Sequence, residues 1–210
     1  MSKKFFRAFV LTLCLSLVVP FFNTINVFAA TEPQIMGQSA ITMDLDTGEI
    51  IYSKNADEQR SPASTTKLLT SLLFAENKNK DDLIPYTENS VSLRETTLNN
   101  FIGNTAQPGD TLTANEVMDA VMVYSANDAA VMMAESVSGS VEKFTELMNQ
   151  RAKELGAVNT NFVNPNGLEI DANNHNVTTA YDLALIAKAA YENDWVRESM
   201  GIDKTSVILD

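Results

Sequence analysis

The sequence predicts an α+β fold: a helical cluster laid on an antiparallel sheet, with the C-terminal strands missing from the chain. Three observations lead there. A hairpin pattern opens the folded region, helical patterns fill the middle, and a strand-like run, Thr205-Ser206-Val207-Ile208-Leu209, begins just before the sequence stops. Strands on either side of a helical middle suit a single sheet shared by the N-terminal hairpin and later strands. A two-stranded sheet is marginal alone, so residues 31–210 are expected to form an incomplete domain.

The elements follow in order. Ile41, Met43 and Leu45 alternate with polar neighbours, Asp46-Thr47-Gly48 turns, and residues 49–53 return through Ile50, Ile51 and Tyr52, which reads as a β-hairpin. A charged connection, residues 54–60, leads into a helix that begins at Ser64 and ends in the Lys/Asn/Asp run of residues 77–82. Residues 83–110 are irregular, with a β-like piece at 90–93 and a turn at Pro108-Gly109-Asp110. Thr113-x-x-Glu116 fits a capping box for a helix through Val117, Met118, Val121 and Met122. That helix breaks around Tyr124-Ser125-Ala126-Asn127, and a second continues through Ala129 to Met133. The methionines read as adaptable core packing. Residues 140–154 form an amphipathic helix ended by Gly156, and an Asn-rich loop spans 159–176. Thr179 and Asp182 then cap a helix through Leu183, Ile186 and Ala190.

Composition narrows the function classes. Residues 1–30 join Lys3, Lys4 and Arg7 to an apolar run and close on small residues at Ala29-Ala30, the pattern of a secretory signal peptide. Its apolar part is shorter than the ~20 residues of a membrane span, so an exported, extracytoplasmic protein is expected. The single cysteine, Cys14, leaves with this segment, so the mature core holds without disulfides. Residues 1–30 carry three basic and no acidic side chains, so the net charge of −12 becomes −15 once they are removed. Such a balance argues against nucleic acid as a partner. With only His175, in a polar loop expected to be exposed, neither a metal site nor a Ser-His-Asp triad has support, and no cofactor is expected.

The chemistry points to Pro62-Ala63-Ser64-Thr65-Thr66-Lys67, which opens the helix continued by Leu68, Leu69, Leu72, Leu73 and Phe74. Residues i and i+3 share a helix face, so Ser64 and Lys67 can address one point. So continuous an apolar run implies burial on most sides, which disfavours the charged form of Lys67 and lowers its pKa. The result is a serine nucleophile with a lysine as general base. A second copy of the spacing, Ser140-x-x-Lys143, reads instead as an N-cap serine followed by a solvated lysine. Ser125-x-Asn127, in the break between two helices, supplies a hydroxyl to relay a proton and an amide to orient the lysine or a substrate carbonyl. In isolation Ser125 or Asn127 would read as a plain N-cap.

Ser64-x-x-Lys67 and Ser125-x-Asn127 resemble the first two motifs of penicillin-binding proteins and serine β-lactamases, whose third is Lys-Thr-Gly. Longer blocks are similar to the low-molecular-weight D-alanyl-D-alanine carboxypeptidases: Asp44-Leu45-Asp46-Thr47-Gly48, Asn55-Ala56-Asp57-Glu58, Ser125-Ala126-Asn127-Asp128-Ala129-Ala130, Asn161-Phe162-Val163-Asn164-Pro165-Asn166-Gly167-Leu168 and Thr179-Ala180-Tyr181-Asp182-Leu183-Ala184. The resemblance implies a β-lactamase/transpeptidase-like fold. It implies attack by Ser64 on a peptidoglycan stem peptide ending in D-Ala-D-Ala, with Lys67 as base, Ser125 as proton relay and Asn127 binding substrate, and β-lactams as covalent inhibitors. No protein partner is implied.

Departures from that pattern set the alternatives. Lys-Thr-Gly is absent; Lys204-Thr205-Ser206 is a near miss that family order places before the strand in question. Residues 93–107 fit poorly, Asn166 stands where the family often has histidine, and no C-terminal amphipathic anchor is present. The expectation is therefore an enzyme sequence cut short, weak or inactive, or a degenerate copy that binds cell wall without catalysis. A class A β-lactamase is the other alternative, because Glu169-x-x-x-Asn173 faintly resembles its deacylation loop.

Overall fold

The structure is a computed structural model that describes residues 33–208, apart from 170, 172 and 173. The predicted signal peptide lies outside the described residues. Gly37–Asp210 is one compact unit. Its strands are β1 (Ala40–Met43), β2 (Ile50–Lys54), β3 (Leu83–Pro85) and β4 (Thr111–Thr113). Its α-helices are α1 (Lys67–Asn77), α2 (Glu88–Ser92), α3 (Leu98–Phe101), α4 (Ala114–Tyr124), α5 (Asn127–Ser138), α6 (Val141–Glu154), α7 (Ala180–Glu192) and α8 (Asp194–Met200). A 3₁₀ turn, Ala63–Thr66, leads directly into α1.

Helix α1 is the axis of the core, as its apolar run predicts. Leu69, Leu72, Leu73 and Phe74 are buried on successive faces, and α4, α5, α6, α7 and α8 all pack against it. Met118, Met132, Met133 and Met148 fill the gaps between these helices, fully buried. Local signals set the helix ends. Both arms of the predicted capping box form: Glu116 N–H donates to Thr113 Oγ1 at 3.2 Å, and Thr113 N–H to Glu116 Oε2 at 2.9 Å. Thr179 Oγ1 accepts from Asp182 N–H at 3.0 Å to open α7. Ser140 caps α6 by accepting from Lys143 N–H at 3.3 Å, and the Lys143 side chain lies on the exposed side.

The hairpin also forms. β1 and β2 pair antiparallel (Ala40↔Lys54, Ile41↔Ser53, Thr42↔Tyr52) with a register shift after Thr42, and β1 rests on α7. In the turn, Asp44 Oδ1 accepts from Thr47 N–H and Thr47 Oγ1, each at 2.7 Å, and Gly48 takes φ +75°.

Four readings need correction. The β-like piece at 90–93 falls mostly in helix α2, because Thr87 and Ser90 form a reciprocal capping box that starts a helix there. β3 and β4 pair antiparallel across the stretch read as irregular. The terminal run forms no strand among the described residues. It lies along α4 instead, with Thr205 Oγ1 donating to Asp119 Oδ2 at 2.9 Å and Ile208 N–H to Glu116 Oε1 at 2.8 Å. His175 is half-buried rather than exposed, because its neighbour Asn176 is drawn into the core. Helix α8 had no sequence reading; Asn193 caps it by accepting from Trp195 and Val196 N–H, both at 3.1 Å, and both side chains are buried.

Candidate active site

The site is built at the head of α1. Pro62 is buried and Ala63 takes φ +46°, a left-handed conformation that costs a residue with a Cβ about 1–2 kcal/mol. This sharp entry turns Ser64 outward, where it is exposed, while Lys67, one turn on, is only 3% exposed. An exposed hydroxyl over a buried amine is the arrangement the spacing predicts.

Lys67 Nζ donates to Ser64 Oγ at 3.3 Å, to Asn127 Oδ1 at 2.7 Å and to the backbone carbonyl of Asn166 at 2.7 Å. Two of these partners are acceptors only; Ser64 Oγ can also donate. A neutral amine has two N–H bonds and one lone pair. Its N–H groups go to Asn127 and Asn166, which leaves the lone pair facing the Ser64 hydroxyl. Burial lowers the Lys67 pKa from 10.5 to about 8, so a substantial fraction is neutral near physiological pH. An amine so placed, with its pKa lowered by burial, can accept a proton from Ser64.

Asn127 is the first residue of α5, and its neighbour Ala126, not Asn127 or Ser125, holds the cap position with no side-chain bond. The plain capping reading of the motif therefore does not hold. The Asn127 amide is fixed from its other side, because Nδ2 donates to the Glu95 carbonyl at 2.6 Å, which forces Oδ1 toward Lys67. Ser125 sits in the break between α4 and α5 with φ +61°, half-buried, and its hydroxyl makes no hydrogen bond to Ser64 or Lys67.

The loop of residues 164–168 closes the site from behind. Thr70 Oγ1 donates to the Pro165 carbonyl at 2.6 Å, and Asn164 Oδ1 accepts from Gly167 N–H at 2.7 Å. Buried Asn176 ties this loop at Asn164 to the preceding Val163 and to Thr66 of the 3₁₀ turn. Its Oδ1 accepts from Val163 N–H at 2.7 Å and Asn164 N–H at 3.1 Å, and its Nδ2 donates to Thr66 Oγ1 at 3.0 Å and the Asn164 carbonyl at 3.1 Å. Asn176→Ala leaves these groups buried and unpaired. We expect it to lower stability in urea unfolding by about 2–3 kcal/mol, the cost of orphaned buried hydrogen-bonding groups.

The structure thus gathers Ser64, Lys67 and Asn127 and adds two backbone carbonyls, of Asn166 and Glu95, that side-chain reasoning did not find. The Asn-Pro-x-Gly-Leu block was the available signal for the first. The Asn166 side chain turns away from the amine, with Oδ1 accepting from Leu168 N–H at 3.0 Å, so histidine or asparagine can stand there without changing the carbonyl. Thr205 is committed to Asp119, which weighs against Lys204-Thr205-Ser206 as a substitute third motif. Glu169 is exposed and bonds to neither Ser64 nor Lys67; Asn173 lies outside the described residues.

The crystal structure of the D-alanyl-D-alanine carboxypeptidase DacD from Francisella tularensis superposes with a TM-score of 0.71 at 32% identity, covering 86% of this chain and 45% of that one. In fold, this is a low-molecular-weight penicillin-binding protein. The family model for D-alanyl-D-alanine carboxypeptidases, peptidase family S11, matches residues 26–207, and the chain belongs to that family. It is 36% identical over 169 residues to the D-alanyl-D-alanine carboxypeptidase DacF of Bacillus subtilis, covering 78% of this chain and 41% of DacF. It is 32% identical over 194 residues to the D-alanyl-D-alanine endopeptidase of Escherichia coli, covering 89% and 60%. The chain therefore spans about half the length of these relatives.

Proposed function

We propose that this chain carries the acylation centre of a serine-type D-Ala-D-Ala carboxypeptidase. The observation that carries the reading is the three-way coordination of Lys67 Nζ, which leaves its lone pair no partner but the Ser64 hydroxyl. Ser64 Oγ attacks the carbonyl carbon of the penultimate D-Ala as Lys67 takes its proton. The Ser64 backbone N–H, at the head of α1, donates to the developing oxyanion; one such donor is worth about 3 kcal/mol. Ser125 relays the proton that Lys67 took from Ser64 to the amine of the departing D-Ala, which returns Lys67 to its neutral form, and Asn127 holds Lys67 and the substrate amide. Water then hydrolyses the acyl-enzyme ester and frees Ser64. A β-lactam acylates the same oxygen by ring opening. The substrate lies in the wall, and the predicted signal peptide fits an extracytoplasmic site of action. Among the described residues no helix is long and apolar enough to cross a membrane.

A fluorescent penicillin tests the reading. Wild-type chain is expected to carry label that survives denaturation, with the adduct on the Ser64 peptide in a digest, and Ser64→Ala is expected to carry none. Equal labelling of the two proteins contradicts the proposal and leaves wall binding without catalysis. The similarity to an endopeptidase supports a second cut, at the D-Ala cross-link. Release of free D-alanine from a pentapeptide, against cleavage of a cross-linked dimer, separates the two.

A further inference from the structure

Asp128 follows Asn127 and has no part in the chemistry above, yet it is completely buried. Its carboxylate accepts three backbone N–H groups: Leu98 at 2.8 Å and Ala129 at 2.9 Å on Oδ1, and Asn99 at 2.9 Å on Oδ2. Leu98 and Asn99 open α3, and Ala129 lies in the first turn of α5. One carboxylate therefore joins the starts of two helices. Burial raises its pKa, while the bonds from Asn99, Leu98 and Ala129 oppose that shift by favouring the charged form.

The segment just before α3 is what Asn127 leans on. The Glu95 carbonyl takes the Asn127 amide and the Thr96 carbonyl takes the Asn127 backbone N–H at 2.9 Å. Thr96 holds φ +45°, and Asn100 Nδ2 fastens the Arg94 carbonyl at 2.7 Å. Residues 94–96 are otherwise exposed. A strained, exposed segment keeps this shape only when its surroundings over-determine it. The anchors on its far side are the two N–H bonds from Leu98 and Asn99 to Asp128.

We propose that Asp128 is a positioning residue for the Ser64–Lys67 pair: by stitching α3 to α5 it fixes the Glu95 and Thr96 carbonyls, and through them the face of Asn127 that meets Lys67. The acylation readout below rests on the proposed function; the structural readout does not. The path is continuous on either side of Asn127, from Asp128 through Leu98 and Asn99 to Glu95 and Thr96, and from Asn127 Oδ1 to Lys67. If the Asn127 amide turned over, its Nδ2 would face Nζ, two donors would oppose each other, and the lone-pair arrangement at Lys67 would be lost.

Asp128→Asn is the informative substitution. It keeps size and shape, but its NH₂ must face at least one of the three N–H donors, and α3 loses an anchor. The 210-residue protein is expected to stay folded by circular dichroism. The side-chain amide resonances of Asn127 are expected to move toward the averaged shifts of an exposed asparagine. Penicillin acylation at Ser64 is expected to slow about tenfold, within the range that misplacement of reacting groups produces. Combined with Asn127→Ala, Asp128→Asn should cost nothing beyond Asn127→Ala alone, because both act through one amide. Unmoved Asn127 resonances in folded Asp128→Asn, or losses that multiply in the double variant, overturn the proposal. Should Asp128→Asn fail to fold, Asn100→Ala releases the same segment from the surface, and unmoved Asn127 resonances there overturn it equally. If wild-type protein takes no penicillin, the proposed function fails, and the resonances still decide this one.

Discussion

Lys67→Arg is expected to lower the rate of Ser64 acylation as far as Lys67→Ala does, by about 10³-fold, a loss within the range for removing a general base. The comparison is sharp because arginine keeps the positive charge and much of the length of lysine but stays protonated at every working pH. If Lys67 served only as a charge, arginine would retain most of the rate. The wild-type rate should rise with pH and level off above a midpoint near 8, where burial sets the amine. Stability depends on the same group. The folded pKa lies below the unfolded value of 10.5, so between about 8 and 10.5 the unfolded chain binds more protons. Stability contributed by this group therefore rises with pH across that window, and the cost of burying the ammonium is fully present below it. Lys67→Met should lack that rise when unfolding is followed in urea at pH 7 and pH 10.

Gly167→Ala is expected to slow acylation and destabilise the fold together. Gly167 holds φ +86°, and a Cβ there would lie 1.9 Å from the Ala63 carbonyl oxygen, 2.4 Å from its carbon and 3.1 Å from the Ser64 nitrogen. These are backbone atoms of the turn that carries Ser64, so no side chain can swing aside to make room. The turn must shift. We expect a loss of about 3 kcal/mol in urea unfolding, at the upper end for single substitutions, and at least about 100-fold in acylation rate, as follows from moving a reacting group by an ångström. Gly139→Ala is the matched control: its φ is +78°, but a Cβ there meets nothing within 4 Å. It should cost only the left-handed strain, about 1–2 kcal/mol, and leave acylation unchanged.

What could be read in the sequence was what local chemistry sets. The apolar run after Ser64 predicts a helix buried on most sides, and α1 is that helix. The i, i+3 spacing places Ser64 and Lys67 together, and the Thr113–Glu116 and Thr179–Asp182 patterns set helix starts to the residue. What escaped depends on groups that carry no side-chain label or on distant pairing. The carbonyls of Asn166 and Glu95 are present in every peptide unit, and only the fold selects these two. The pairing of β3 with β4 joins short segments, one of which ends in proline. Residues 90–93 contain Ser, Val, Ser and Leu, which suit a strand, but the Thr87–Ser90 capping box acts first and sets a helix. The terminal run reads as a strand by its β-branched residues, yet a strand needs a ladder partner, and here α4 supplies carboxylates to bond it instead.

One titration bears most directly on whether Ser64 and Lys67 act as nucleophile and base. The ε-methylene resonance of Lys67 and the rate of penicillin acylation are followed on the same protein from pH 6 to pH 11. Both should change with a single midpoint near 8. A Lys67 midpoint at the value of a free lysine, or an acylation rate that ignores the lysine's titration, contradicts the account.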